Sequence, residues 1–123
     1  MLVSDPSTPT AAAAVNVDVG SLSDPPEIMG LSHLLEHMLF LGTTAHPKEN
    51  FFQTSLALAG GSSNAFTDLE DTNYYFDVQP HRLGKMLEVF SEFFKASQCT
   101  VMIYFLVDYV VLQVFLISLT CCK

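Results

Sequence analysis

The chain has 123 residues, which is enough for one domain with one hydrophobic core. Half of its residues are hydrophobic, which argues against a disordered chain, and a formal net charge of −8 without any cluster of Lys or Arg argues against binding to nucleic acid. The three cysteines, Cys99, Cys121 and Cys122, have no spacing typical of a metal site or a disulfide framework. The first residues show neither the basic nor the apolar region of a secretory leader, and we therefore expect a cytoplasmic protein.

The first half of the chain predicts two strands followed by a helix. Residues 1–4 are typical of the end of a strand, and residues 11–19 alternate between apolar and polar positions, as a half-buried strand does. A loop marked by consecutive prolines follows at 20–26. Residues 30–41 then predict an amphipathic helix. Its buried stripe would consist of Leu31, Leu34, Leu35, Met38 and Leu41.

The second half predicts a helix, a hairpin and another helix. Pro47 begins a helix that runs to residue 59 and ends at two glycines. Residues 62–67 and 73–78 predict the two strands of a hairpin, and a further helix begins at Pro80. The apolar stripe of this last helix would consist of Leu83, Met86, Leu87, Phe90, Phe93 and Phe94. The predicted fold class is α+β, with helices packed on one face of a mainly antiparallel sheet.

The end of the chain departs from this pattern. Residues 101–120 are almost wholly apolar and about as long as a membrane span. Asp108 and Gln113 interrupt them, however, and a central Asp costs roughly 2.5–3.5 kcal/mol for insertion into a membrane. We therefore divide the chain into a domain at 1–98 and an apolar tail of uncertain origin at 99–123. We expect the tail to be an exposed segment without a partner, which promotes aggregation instead of membrane insertion.

The first predicted helix contains the sequence His33-Leu-Leu-Glu36-His37, whose side chains can bind a metal ion and transfer a proton. On a helix the two histidines are one turn apart, and Glu36 falls in the same sector of roughly 100°. Two histidines at this spacing can bind one zinc ion, and a neighbouring carboxylate can accept a proton from a water whose pKa the zinc lowers. This order is the inverse of the H-E-x-x-H motif. We expect all three side chains to lie off the leucine stripe, so that the core does not require them; chance placement is the alternative.

Six segments, taken in order and at their spacing, resemble the insulin-degrading enzyme (pitrilysin) family of zinc metallopeptidases. They are Gly-Ser-Leu-Ser-Asp-Pro-Pro (20–26), His-Leu-Leu-Glu-His (33–37), Met-Leu-Phe-Leu-Gly-Thr (38–43), His-Pro-Lys-Glu-Asn (46–50), Gly-Gly-Ser-Ser-Asn-Ala-Phe-Thr (60–67) and Asp-Thr-Asn-Tyr-Tyr-Phe-Asp-Val (71–78). The resemblance covers residues 1–95. It implies a partial N-terminal peptidase domain with one zinc ion, bound by His33 and His37, and with Glu36 as the general base. It also implies an endopeptidase that cleaves peptides inside an enclosed chamber.

The predicted strand at 62–67 is the candidate for substrate binding. An edge strand can bind an extended peptide as an added strand. The resemblance implies that Asn64, Ala65 and Phe66 line the substrate cleft and that Tyr75 lies near it. From the residues alone, an ordinary hairpin strand with Phe66 in the core is the alternative, and Tyr75 is explained by packing on the sheet.

The chain departs from the family at the third zinc ligand. Family members supply a glutamate roughly 75 to 80 residues beyond the second histidine. In this chain that distance leads to residues 113–116, which include no glutamate, and Asp108 is the only acidic residue of the tail. We therefore expect an incomplete zinc site, with the remaining peptidase domains missing. Three explanations stay open: a fragment or incompletely spliced product, which we favour; a short isoform held to a membrane by its tail; and a non-catalytic zinc- or peptide-binding module.

Overall fold

The computed structural model describes residues 1–95 and the backbone of residues 114–120. The strands are β1 (Leu2–Val3), β2 (Ala11–Val17), β3 (Ser62–Thr67), β4 (Thr72–Val78) and β5 (Val114–Thr120). The helices are α1 (Leu31–Leu39), α2 (Phe51–Leu58) and α3 (Leu83–Ser91). Short 3-10 turns cover Ser21–Ser23, Pro80–Arg82 and Glu92–Phe94.

The described strands form one sheet in the order β1-β5-β2-β4-β3. β4 lies antiparallel to β3 and to β2, so that Thr67 faces Thr72 across the hairpin and Ala11 faces Val78. β5 lies antiparallel to β2 and parallel to β1. The predicted hairpin is confirmed, and β3 lies at the edge of the described sheet.

All three helices pack on one face of the sheet. Every second residue of β2, from Ala11 to Val17, is buried on that face, as the alternation of side chains along a strand requires. Four phenylalanines join the layers, because Phe52 of α2 and Phe90 of α3 contact Phe76 of β4, and Phe93 contacts Phe52 with ring centroids 4.9 Å apart. Aromatic rings in such tilted pairs bury a large apolar area. The arrangement confirms the predicted α+β class with helices on one face.

The predicted helix at 30–41 is present, but its buried face is not the predicted leucine stripe. Leu34 and Leu41 are 45% and 43% exposed, whereas Glu36 is only 7% exposed and Leu39 is buried. The expectation that Glu36 lies off the core is therefore wrong. The physical reason is that α1 contacts β3, so the helix turns Glu36 toward the strand instead of toward solvent.

The second helix begins later than predicted. The sequence predicts a start at Pro47, but α2 begins at Phe51, after Asn50 takes a left-handed conformation with φ 60°. Asparagine tolerates this region better than most residues. The third helix begins with a 3-10 turn at Pro80, as its position predicts, and continues as α3.

The apolar end of the chain supplies a strand that the sequence analysis does not predict. The backbone of Val114–Thr120 pairs with both β1 and β2, which contradicts the expectation that this part of the tail has no partner. A short apolar run is compatible with a buried strand as well as with a helix, so hydrophobicity alone does not distinguish them. Asp108 lies outside the described residues. Among the described residues, none of the helices is both long enough and apolar enough to cross a bilayer.

Candidate functional site

A carboxylate from the preceding loop fixes the start of α1. Gly30 has a φ of +91°, which glycine adopts without strain. The backbone N–H groups of Gly30 and Ser32 donate to Asp24 Oδ2 and Oδ1 at 2.7 and 2.9 Å. The hydroxyl of Ser32 also donates to Oδ1, at 2.6 Å. Asp24 thus accepts from backbone groups that the helix itself leaves unpaired, as an N-cap does.

The ionised form of Asp24 is the stable one. Burial opposes its ionisation, but the hydrogen bonds from the side chain and backbone of Ser32 and from the backbone of Gly30 and Leu31 hold the pKa of Asp24 below its usual range. A negative charge at this end of α1 also interacts favourably with the helix dipole. No local sequence pattern indicates this role of Asp24, because its partners lie six to eight residues further along the chain.

His33 and His37 meet on the outer face of α1. Their Nε2 atoms are 3.1 Å apart, and the ring centroids are 4.8 Å apart. Both residues are exposed, and one carboxylate oxygen of Glu36 completes a group of three potential ligand atoms that lie within 4.8 Å of one another. Within the described residues this is the only group of three or more His, Cys, Asp or Glu side chains close enough to hold a metal ion.

Glu36 points from the helix to the edge strand. The hydroxyl of Thr67, in β3, donates to Glu36 Oε2 at 2.6 Å. A charged acceptor makes such a hydrogen bond short and comparatively strong. Tyr74, buried behind the pair in β4, has a pKa that is raised by its burial and, secondarily, by the negative charge of Glu36. The phenol of Tyr74 therefore stays protonated.

A shallow groove lies between α1 and the edge strand. Its volume is about 220 Å³. It is lined by Glu36, His37, Phe40, Gln53, Ser63, Asn64 and Ala65. The groove therefore places the backbone of β3 beside the histidine and carboxylate of α1.

The four predicted substrate-binding residues are divided between the two faces of the sheet. Asn64 and Ala65 line the groove, whereas Phe66 is 49% exposed and Tyr75 is 41% exposed. Asn64 lies opposite Tyr75 in the hairpin, and Phe66 lies opposite Asn73, so the side chains of Asn64, Phe66 and Tyr75 project from the face away from the helices. Of the four residues only Ala65, opposite the buried Tyr74, projects toward the helices, and Asn64 borders the groove from the strand. The alternative that places Phe66 in the core is wrong.

Gln53 also lines the groove, although its sequence context does not predict this. Its Oε1 atom is buried and makes no hydrogen bond within the described part of the chain. It belongs to α2, and only the packing of α2 beside α1 and β3 brings it to the groove. No local sequence pattern could have indicated this.

The family becomes evident when the chain is compared with known proteins. The model of the insulinase family (peptidase family M16) matches residues 1–101. The chain belongs to the insulinase family. The matched segment includes the His33–His37 motif, the Asp24 cap and the whole β3–β4 hairpin.

Individual relatives agree with this membership. The chain is 57% identical to insulin-degrading enzyme from Bos taurus over 94 residues, which cover 76% of this chain and 9% of the relative. It is 50% identical to insulin-degrading enzyme from Drosophila melanogaster over 100 residues, which cover 81% of this chain and 10% of the relative. The crystal structure of pitrilysin matches 79% of this chain with a TM-score of 0.76 and 34% identity, and the match covers 10% of that structure. The chain thus spans about a tenth of the length of the insulinase-family members it matches.

The side chains of this insulinase-family site fit a zinc ion. Imidazole nitrogens and carboxylate oxygens are the donors that zinc prefers in catalytic sites. Two nitrogens bound tetrahedrally at the usual zinc distance lie about 3.3 Å apart, close to the observed 3.1 Å between the Nε2 atoms of His33 and His37. The exposure of both rings leaves them accessible to an ion from solvent.

Proposed function

We propose that this chain provides two zinc ligands, His33 and His37, and the general base, Glu36, of a metalloendopeptidase site for peptides, and that the described residues do not include its third zinc ligand. The observation that supports this most strongly is the approach of His33 Nε2 to His37 Nε2, at 3.1 Å, with the Glu36 carboxylate beside them. The family membership adds support. A relative from Caenorhabditis elegans, 47% identical over 100 residues, is named a putative zinc protease.

Each side chain has a distinct task in this proposal. His33 and His37 would hold one zinc ion. The ion would supply Lewis acidity and make water a better nucleophile near neutral pH. Glu36 accepts the proton of the attacking water at its carboxylate and can return it to the leaving amine.

The edge strand accounts for the choice of a peptide as substrate. β3 lies at the edge of the described sheet, and a peptide in extended conformation can pair with such an edge through its backbone. Such a peptide would run along the groove, past Asn64 and Ala65, and bring a peptide bond near Glu36 and His37. Phe66 and Tyr75 project from the other face of the sheet and would contact the substrate only beyond the groove.

A second candidate function is zinc or peptide binding without turnover. The observation in its favour is that no further acidic, histidine or cysteine side chain joins His33, Glu36 and His37 within the described residues. Catalytic zinc sites usually have three protein ligands and one open position. If Glu36 serves as the base, the part of the chain that the structure describes contains two identified ligands, His33 and His37.

Metal analysis tests the zinc assignment. We expect the purified chain of residues 1–123 to bind one zinc ion, because the two imidazoles are already at a chelating distance. A double variant with His33→Ala and His37→Ala should lose this zinc. His81→Ala is the matched control, since His81 is an exposed histidine outside the site, and it should bind as much zinc as the unchanged chain. Equal zinc in the double variant and the unchanged chain would contradict the proposal.

A further inference from the structure

Glu36 lies beside the two histidines, close enough for its carboxylate to become a zinc ligand itself. A carboxylate oxygen of Glu36 lies within 4.8 Å of both potential ligand nitrogens. Zinc accepts carboxylate oxygens as well as imidazole nitrogens. A carboxylate bound to the ion has one lone pair committed to it and is a weaker base. If Glu36 acts as a base while His33 and His37 bind the ion, something in the structure must keep the Glu36 carboxylate from binding the ion as well.

Thr67 provides a competing partner for the carboxylate. Its hydroxyl donates to Glu36 Oε2 at 2.6 Å, and Glu36 is 7% exposed, so little water competes for this oxygen. The hydrogen bond joins residues 31 positions apart in sequence and holds α1 against β3. Because Oε2 accepts the hydrogen bond from Thr67, Oε1 is the oxygen of Glu36 left with more capacity to accept a proton.

The hydroxyl of Thr67 is itself fixed in place. Thr67 pairs with Thr72 across the hairpin, and their Oγ1 atoms are 3.4 Å apart. Thr72 is buried and donates its proton to the backbone oxygen of Val19 at 2.8 Å. A β-branched side chain within a paired strand has few rotamers available. Thr67 therefore cannot follow Glu36 if the carboxylate turns toward an ion.

From this geometry we infer that Thr67 is a positioning residue that holds Glu36 as a base and prevents it from becoming a zinc ligand. The inference rests on the proposed function, because it assumes that His33 and His37 bind zinc. The hydroxyl of Thr67 would then determine whether the Glu36 carboxylate acts as a base or as a zinc ligand.

The test measures metal binding by the full chain and does not depend on catalysis. Thr67→Val keeps the shape of the side chain and removes the hydroxyl, whereas Thr67→Ser keeps the hydroxyl. We expect Thr67→Val to bind zinc about tenfold more tightly, which is about 1.4 kcal/mol, because Glu36 becomes a third ligand. Thr67→Ser should bind like the unchanged chain. Co²⁺ in place of zinc should give an altered visible absorption spectrum in Thr67→Val alone.

A second substitution tests whether Glu36 causes any gain in zinc affinity. When Glu36→Gln is combined with Thr67→Val, the gain in affinity and the change in the Co²⁺ spectrum should both disappear. Thr67→Ala, which also lacks the hydroxyl, replaces Thr67→Val if circular dichroism shows that the valine variant is unfolded. Unchanged or weaker zinc binding without the hydroxyl, or a gain that persists with Glu36→Gln, overturns the inference. Absence of zinc binding in the unchanged chain would instead overturn the proposed function.

Discussion

At the scale of single residues, the start of α1 depends on a side chain outside the helix. Asp24 lies six residues before Gly30, and its carboxylate accepts a hydrogen bond from the backbone N–H of Gly30. The backbone N–H and the hydroxyl of Ser32 donate two more hydrogen bonds to the same carboxylate. Gly30, which occupies the N-cap position, has no side chain to do this. The carboxylate therefore determines where the helix that bears His33 and His37 begins.

Replacement of Asp24 by Ala should lower the free energy of unfolding by about 2–3 kcal/mol, because it removes the cap and leaves buried donors unpaired. Asp24→Asn should lower it less, since one amide oxygen can still accept. Glu27→Gln is the matched control, because it removes an exposed carboxylate of the same loop. Urea unfolding followed by circular dichroism measures all three. An alanine variant as stable as the unchanged chain would contradict the capping role.

The contribution of Asp24 should also depend on pH. Its pKa is lowered by the hydrogen bonds in the folded state, so the unfolded state binds its proton at a higher pH than the folded state does. The stabilisation is therefore complete above the unfolded pKa of about 3.9, and it is lost as the pH falls through the lower, folded value. The stability difference between the unchanged chain and Asp24→Asn should shrink over this acidic range. A constant difference would show that the charge contributes nothing.

At the scale of elements, the two faces of the β3–β4 hairpin have different surroundings. Phe76 is 1% exposed and contacts Phe52 and Phe90 on the helix side, whereas Phe66 is 49% exposed on the other side. The same residue type in the same hairpin thus allows a direct comparison of the two faces.

Phe76→Ala should cost about 3–5 kcal/mol of unfolding free energy, because it leaves a cavity among packed aromatic rings. Phe66→Ala should cost less than about 1 kcal/mol, because the side chain is half exposed and removes little apolar area from water. Denaturant unfolding of the two variants side by side measures both values. Similar costs for the two positions would mean that Phe66 is packed against something on the outer face of the sheet.

The sequence predicted the kinds of elements better than their orientation. The order of strands and helices, the hairpin and the position of the histidine motif follow from local patterns, and the structure agrees with them up to residue 95. The buried face of α1 was predicted wrongly, because a helical stripe of leucines does not tell which side meets the sheet. Asp24, Gln53 and Thr67 could not be predicted, because each acts through an element that is distant along the chain.

At the scale of the whole molecule, the number of ligands sets a limit on catalysis. Among the described residues two imidazoles are available, and we infer that Thr67 holds the neighbouring Glu36 carboxylate as a base and not as a third ligand. Metal, base and substrate cleft act together in a peptidase, so the loss of one removes most of the activity. A site with two protein ligands also leaves its ion weakly held and poorly oriented.

We therefore expect residues 1–123, loaded with zinc, to show no cleavage of a quenched fluorescent peptide beyond that of the Glu36→Gln variant. Addition of a chelator should leave both rates unchanged. The chain should still bind the peptide at the edge of β3, as fluorescence anisotropy would show. Chelator-sensitive cleavage that is absent from Glu36→Gln would mean that a third ligand is present, and Asp108, the only acidic residue in 99–123, would be the first to test.

The distances in sequence between the groups of the site imply an order of assembly during folding. His33 and His37 are four residues apart on one helix, and a helix forms in about 0.1–1 μs. Glu36 reaches its final place only when the hairpin, which takes about 1–10 μs to form, has docked against α1 and brought Thr67 to it. The pairing of β2 with β4 joins parts of the chain that are still further apart and is slower again. The imidazole pair therefore requires only that α1 forms, whereas the held carboxylate also requires the docking of the hairpin against α1.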